Sequence, residues 1–263
     1  MDSKDLRVLI LSAGKIDTEL EKIFGKIPSG LIPLNGKPVI FRIIDKLLDE
    51  GIEKISITVG YKKEILEKII SEQYENKCKI DFITTEFDKP PGNSIKTAME
   101  FCIEKELLII LGDTVIENNL LELVNKGKNF VITSQEFGNT KNWCIVTKKD
   151  RIVDEVFDKE ELDKNEDHHA LVGCYFFNDV NMLKKILSGF DSNEKLEIST
   201  IIEKLKEEEQ IITELSQKWH DVGHLENYFS TKQFILKTRY FNSLQFDDSG
   251  ESIVKTSKDN LKL

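Results

Sequence analysis

The chain has 263 residues, 47 acidic against 37 basic side chains and a formal net charge of −10. It is long enough for one large domain with a sizeable core, or a domain plus an appendage. The acidic balance, with no Lys/Arg block interleaved with aromatics, excludes wrapping a nucleic acid backbone. No signal-peptide h-region follows Met1, and no apolar run is long enough to span a bilayer, so a cytoplasmic protein is expected. The four cysteines, Cys78, Cys102, Cys144 and Cys174, have no metal-ligand spacing and read as free, mostly buried thiols.

Val8-Leu9-Ile10-Leu11-Ser12-Ala13-Gly14 is an apolar run ending in small residues, the pattern of a buried parallel strand that delivers a loop to a ligand. Small residues there let a flat group approach the main chain. A polar segment leads to Pro28-Ser29-Gly30-Leu31-Ile32-Pro33-Leu34-Asn35-Gly36-Lys37-Pro38. Residues 39–48 carry apolar side chains at helical spacing, and Gly51 supplies the stop. Strands follow at 55–60 and 79–84, with a Lys/Glu-rich helix to about Ile70 between them. This alternation predicts an α/β fold with a largely parallel sheet.

Pro90-Pro91-Gly92 marks a tight loop, with Asn93 or Ser94 as the expected N-cap of a helix running through Phe101. The apolar strand 107–115 contains Gly112-Asp113 and places a carboxylate where open α/β sheets bind ligands. A hard cation such as Mg²⁺ needs one or two such carboxylates, while a turn or N-cap Asp is the plain alternative. Strands are expected at 130–133, 143–146, 151–157 and 171–177, forming a mixed β region. His168 and His169 cannot aim at one metal from a strand and read as surface residues. Helices are expected at 180–187, 198–208 and 225–239, with Trp219-His220-Asp221-Val222-Gly223-His224 before the last. Residues 240–257 read as a hairpin around Asp247-Asp248-Ser249-Gly250, followed by a charged tail.

In order, these stretches resemble the sugar-1-phosphate nucleotidyltransferases, over about residues 6–232. The matches are Ala13-Gly14, the 28–38 segment, the Pro-Gly loop, Leu111-Gly112-Asp113, Asp158-Lys159, Leu171-Val172-Gly173-Cys174-Tyr175 and Trp219-x-Asp221-x-Gly223. Asp221 falls roughly a hundred residues after Asp113 and just before a helix, as the family pattern requires. The resemblance implies a Rossmann-like mixed, mostly parallel sheet flanked by helices, of the glycosyltransferase-A type, in a domain of residues 1–239 with 240–263 as an appendage. It implies a Mg²⁺ site at Asp113 and Asp221, a nucleotide site at Leu11, Ala13, Gly14, Lys15, Pro91, Gly92 and Asn93, and an acceptor site at Lys159 and Gly173. It departs where the family's Gly-x-Gly-Thr-Arg loop becomes Lys15-Ile16-Asp17-Thr18-Glu19-Leu20 and where the family's lysine becomes Ser29. Lys15 and Lys26 flank that loop as substitutes, a flexible ammonium needing only to arrive within reach.

The implied reaction is attack by a phosphate or phosphonate oxygen on the α-phosphorus of an NTP, with release of pyrophosphate. The nucleophile is already an anion, so His220 and His224 are expected to make packing or polar contacts only. The C-terminal end resembles the junction of capsule and surface-polysaccharide proteins that join such a domain to a phosphotransferase. That implies a fragment or stand-alone relic of a longer protein, with CTP as the favoured nucleotide. Two other readings stand beside it. One is a catalytically silent nucleotide-binding domain that serves a fused or partner kinase. The other is a glycosyltransferase of the same architecture, which usually carries Asp-x-Asp where this chain has Gly112-Asp113-Thr114.

Overall fold

The computed structural model of the chain describes residues 5–163, 165–191, 194–216, 218–246 and 252–254. It opens with β1 (Leu6–Leu11), α1 (Thr18–Phe24), a 3₁₀ turn at Ser29–Leu31, and the short pair β2 (Pro33–Leu34) and β3 (Lys37–Pro38). Then come α2 (Val39–Asp49), β4 (Ile55–Val59), α3 (Lys63–Tyr74), β5 (Ile80–Thr84), α4 (Pro91–Ala98), β6 (Glu106–Leu111), β7 (Thr114–Ile116) and α5 (Leu120–Val124). The second half holds β8 (Phe130–Ser134), β9 (Cys144–Lys149), β10 (Ile152–Asp158), β11 (His169–Phe177), α6 (Val180–Ser188), α7 (Ile198–Glu208) and β12 (Ile212–Leu215). It closes with β13 (Trp219–Asp221), α8 (Leu225–Ser243), β14 (Leu244–Phe246) and β15 (Ser252–Val254).

Nine strands form one sheet in the order β5-β4-β1-β6-β11-β8-β12-β10-β9. β1 is apolar apart from Arg7, which pairs with Asp81 and Glu104, because both of its faces are covered. Leu6, Val8 and Ile10 join α2 and α3 in one core, and Leu9 and Leu11 join α4, α6 and α7 in the other. The same alternation holds in β6, with Leu108 and Ile110 on the first face and Leu107 and Ile109 on the second. Each fully buried Leu or Ile contributes about 2 kcal/mol by area.

β5, β4, β1 and β6 are mutually parallel, whereas β11 runs antiparallel to both β6 and β8. β8 and β12 are parallel, β10 is antiparallel to β12 and β9, and β9 returns to pair with β11. The expected parallel character therefore belongs to the N-terminal half, and the second half curls back on itself. From β1 the chain steps outward through β4 to β5, then crosses to place β6 on the other side of β1. That makes a topological switch point between the carboxyl ends of β1 and β6, where such sheets open a crevice.

Several elements differ from the sequence reading. The N-cap before α4 is Pro90, with Pro91 in the first turn, so Asn93 and Ser94 lie inside the helix. Proline suits that position because a first-turn N–H has no intrahelical partner to lose. α4 ends at Ala98, α3 continues to Tyr74, and α8 passes Arg239 to Ser243. The strand expected at 107–115 is split into β6 and β7 by Gly112-Asp113. His168 and His169 are not surface residues: they are 9% and 1% exposed, at the head of a strand that is buried at every position. Burial lowers the His169 pKa, and Lys148 adds to the effect. β14 and β15 pair antiparallel, as a hairpin requires, while its turn and the charged tail lie outside the described residues. All four cysteines are free, with Cys102 and Cys174 buried and Cys78 and Cys144 half-buried. Among the described residues, no helix is long and apolar enough to cross a membrane.

Candidate active site

Asp113 lies two residues beyond the end of β6, at the switch-point crevice. Asp221 arrives by a separate route. β13 pairs antiparallel with β7, setting Asp221 opposite Thr114, and Val222 N–H donates to the Asp113 carbonyl at 3.2 Å. The Trp219 indole N–H donates to Thr114 Oγ1 at 3.0 Å, and that hydroxyl donates to the Val172 carbonyl at 3.0 Å. The tryptophan of the Trp-x-Asp stretch thus ties the two aspartate-bearing segments to β11.

The carboxylates converge beside Gly223. A Cβ built there would stand 3.2 Å from Asp113 Oδ2 and 3.3 Å from Asp221 Oδ1, so the missing side chain leaves open a notch flanked by one oxygen of each. Asp221 is held by three donors: Gly223 N–H to Oδ1 at 3.0 Å, and His224 Nδ1 and Asn227 Nδ2 to Oδ2, each at 2.8 Å. Burial and the nearby Asp221 charge push the Asp113 carboxyl up to about 6. The hydrogen bond to Asp221 and that carboxylate's charge outweigh burial and raise the His224 pKa. Two close carboxylates with an open notch between them suit a hard divalent cation, which takes one or two protein oxygens and completes its shell elsewhere. Among the described residues no group of three or more His, Cys, Asp or Glu side chains has metal-binding geometry.

A cavity of about 390 Å³ opens over this pair. Lys15, Ile16, Asp17, Ser29 and Pro91 line it, together with Trp143, Cys144, Asp158, Lys159, Tyr175 and Glu197. Two larger hollows, of about 530 and 680 Å³, lie behind the Trp143–Trp219 pair and along α3 and β5, and neither holds both aspartates. Lys15 and Lys159 therefore line the same cavity. Lys159 has φ +56° and donates its N–H to the Trp143 carbonyl at 3.0 Å.

Other expected site residues are placed differently. Lys26 is exposed, is not among the cavity-lining residues, and its carbonyl accepts from Lys62 Nζ at 2.6 Å. Leu11, Ala13 and Gly14 are also outside the lining, and their carbonyls accept from the N–H groups of Gly112, Tyr61 and Ser29. Gly173, at φ +84°, makes room for the Leu111 side chain rather than opening directly on the cavity. Gly92 and Asn93 face the 194–196 segment: a Cβ on Gly92 would collide with the Leu196 carbonyl, and the Asn93 amide bonds Glu194 and Leu196. The altered loop folds as α1, with Ile16 and Leu20 buried and Asp17 capping Glu19 N–H at 2.8 Å. Sequence reasoning missed Gly223 as the notch, although it quoted the residue within Trp-x-Asp-x-Gly, and missed the grip of His224 and Asn227 on Asp221. Their spacing from Asp221, three and six residues into a helix start, was the available signal.

The switch-point crevice thus holds paired carboxylates with Lys15 and Lys159 in the same lining, at the place where open α/β sheets bind ligands. Residues 7–238 match the Nucleotidyl transferase family, and the chain belongs to it. It is 30% identical over 223 residues to the bifunctional protein GlmU of Methanococcus maripaludis strain S2, a match covering 82% of this chain and 51% of that protein. It is 25% identical over 180 residues to the UTP–glucose-1-phosphate uridylyltransferase AglF of Haloferax volcanii, covering 65% of this chain and 72% of that one. The chain spans about half the length of the GlmU proteins it matches. A solved UDP-glucose pyrophosphorylase in complex with UDP-glucose shares the fold, with a TM-score of 0.74 at 19% identity over 89% of this chain and 99% of that one.

Proposed function

We propose that the chain transfers a nucleoside monophosphate from an NTP to a sugar-1-phosphate or a similar small phosphorylated acceptor, releasing pyrophosphate. The observation that carries this reading is the meeting of Asp113 and Asp221 at the Gly223 notch, under a cavity lined by both Lys15 and Lys159. Two anions must be brought together, so the work is alignment and neutralisation rather than proton removal. Lys159 is proposed to hold the acceptor phosphate and Lys15 the triphosphate. Asp113 and Asp221 would hold Mg²⁺, which supplies neutralisation of charge developing on the α-phosphate. His224 and Asn227 orient Asp221 by their hydrogen bonds and take no proton in the reaction.

Uridine is the first base to test, because AglF is named for UTP and glucose-1-phosphate. Cytidine and a phosphonate acceptor form the second arm and rest on the resemblance of the C-terminal stretch to capsule-type proteins. The role in capsule or cell-surface glycan synthesis, a fused or partner phosphotransferase, the division at residue 239 and a cytoplasmic location belong to the same proposal.

The test is pyrophosphate release with each of the four NTPs, Mg²⁺ and a panel of sugar-1-phosphates and phosphonates, beside Asp113→Ala. Release with one NTP that disappears in the variant supports the reading. One observation favours the silent binding domain instead: Asp17, not a cationic group, caps α1 at the cavity wall. Nucleotide binding by calorimetry without release across the panel would select that alternative. Consumption of a supplied sugar nucleotide would select the glycosyltransferase.

A further inference from the structure

The loop that the resemblance assigns to the nucleobase makes its side-chain contacts elsewhere. Asn93 is buried in the first turns of α4, and both ends of its amide are engaged. Nδ2 donates to the Glu194 carbonyl at 2.8 Å, and Oδ1 accepts from Leu196 N–H at 2.9 Å. Gly92 lies against the Leu196 carbonyl, in a space that no side chain could share. One turn on, Lys96 Nζ donates to the Phe190 carbonyl at 2.5 Å. The stretch leading into α7 is thus clamped to α4 from both of its ends.

The next residue in that stretch reaches the cavity. Glu197 is the N-cap of α7, makes no side-chain capping bond, lines the cavity, and has its carboxylate 3.9 Å from Lys159 Nζ. Ile198 and Ser199 line the same cavity. Lys159 is exposed, so its long side chain has many rotamers unless a neighbour biases it. Glu197 is the neighbour within reach, and its own place depends on residues 194–196.

We infer that Asn93 is a positioning residue for the acceptor: by fixing residues 194–196 it sets Glu197, and through Glu197 the ammonium of Lys159. This rests on the proposed reading of Lys159 as the acceptor-phosphate ligand. It gives the Asn93 side chain a role on the acceptor side of the reaction.

The test compares Asn93→Ala and Asn93→Asp with the wild type. The Asp variant keeps the acceptor for Leu196 N–H but sets an anionic oxygen against the Glu194 carbonyl, so its acceptor KM should rise at least as far as that of Asn93→Ala, and circular dichroism checks that each variant is folded. With the NTP that supports turnover, the KM for the acceptor should rise about tenfold in Asn93→Ala, the scale of two lost buried hydrogen bonds. The dissociation constant of the α,β-imido analogue of that NTP, titrated with Mg²⁺ and no acceptor, should stay within about twofold. A weakened nucleotide with an unchanged acceptor KM would return Asn93 to the nucleobase, and equal losses in both would make its role merely structural. Either result overturns the inference. If the wild type releases no pyrophosphate, the proposed reaction fails separately. The same split is then read from calorimetric titrations of UTP and glucose-1-phosphate, and a wild type that binds neither overturns the inference too.

Discussion

Asp113→Asn should make the metal-free protein more stable while removing its response to metal. Burial and the charge of Asp221 hold the Asp113 carboxyl at about 6 against an ordinary 3.8. Keeping it ionised at neutral pH therefore costs the folded state about 3 kcal/mol as an upper value. The sign follows from proton counts. Between 3.8 and about 6 the folded protein holds a proton that the unfolded chain has released, so stability falls as pH rises through this window. Asparagine keeps the shape without the charge. In EDTA, urea unfolding at pH 7.5 should place the variant about 2–3 kcal/mol above the wild type, with the gap shrinking toward zero near pH 4. The His169 pKa, lowered by burial, gives both proteins a loss of stability as pH falls below the unfolded value of 6.5, so it cancels in the difference. Mg²⁺ at a hundred times its dissociation constant should restore about 2.7 kcal/mol to the wild type and nothing to the variant. A variant no more stable than wild type in EDTA at pH 7.5 would refute the claim that desolvation and the Asp221 charge outweigh the groups that favour an ionised Asp113.

Gly223→Ala would put a methyl 3.2–3.3 Å from one oxygen of each carboxylate, and calorimetry should show Mn²⁺ binding weakened at least about tenfold. Undiminished affinity would mean that the cation does not occupy the notch. Asn227→Ala removes one of two donors to Asp221 Oδ2, and should raise the Mg²⁺ concentration for half-maximal rate a few-fold while shifting the unfolding free energy by only about 1 kcal/mol. Lys159→Ala should raise the acceptor KM about tenfold or more and leave nucleotide affinity unchanged, an outcome checked by steady-state kinetics beside calorimetry.

Most of the fold's first half was legible because its rules are local. β1 and β6 are apolar at nearly every core position since helices cover both faces, and α2 between them shows its period and, at Gly51, its stop, whereas α1 was read as a polar segment. The second half was less legible. β9 and β11 are 25 residues apart at their starts, and nothing in either says that β9 will close back on β11 rather than lie at a free edge. The histidines were misjudged for a related reason. His168 and His169 look like polar punctuation before Leu171, but β11 is flanked by β6, β8 and β9 and buries them with the rest. Asp113 and Asp221 were legible as motifs, whereas their meeting depends on the β7–β13 pairing, a nonlocal contact. Asn93 was misread as a cap because Pro91 had already taken the helix start, and its true partners lie a hundred residues away.

The altered loop after β1 links these observations. A glycine-rich loop presents main-chain N–H groups to phosphate oxygens. Here the same stretch buries Ile16 and Leu20 and caps its own helix with Asp17. The carbonyls of Leu11, Ala13 and Gly14 are engaged with neighbouring segments, so this corner is a packed joint rather than an open cradle. Lys15 remains as its cationic group on the cavity wall, and Asp17 beside it carries the opposite charge. In the proposed reaction, the triphosphate's negative charge must then be balanced chiefly where Asp113 and Asp221 meet. An acidic protein can handle a tetra-anionic substrate on those terms, because a divalent cation held between two carboxylates supplies locally the positive charge that the loop does not. The retention of the Gly223 notch beside a loop with Asp17 at its helix cap is coherent in that light. As the loop's share in phosphate binding shrinks, the demand on the carboxylate pair grows.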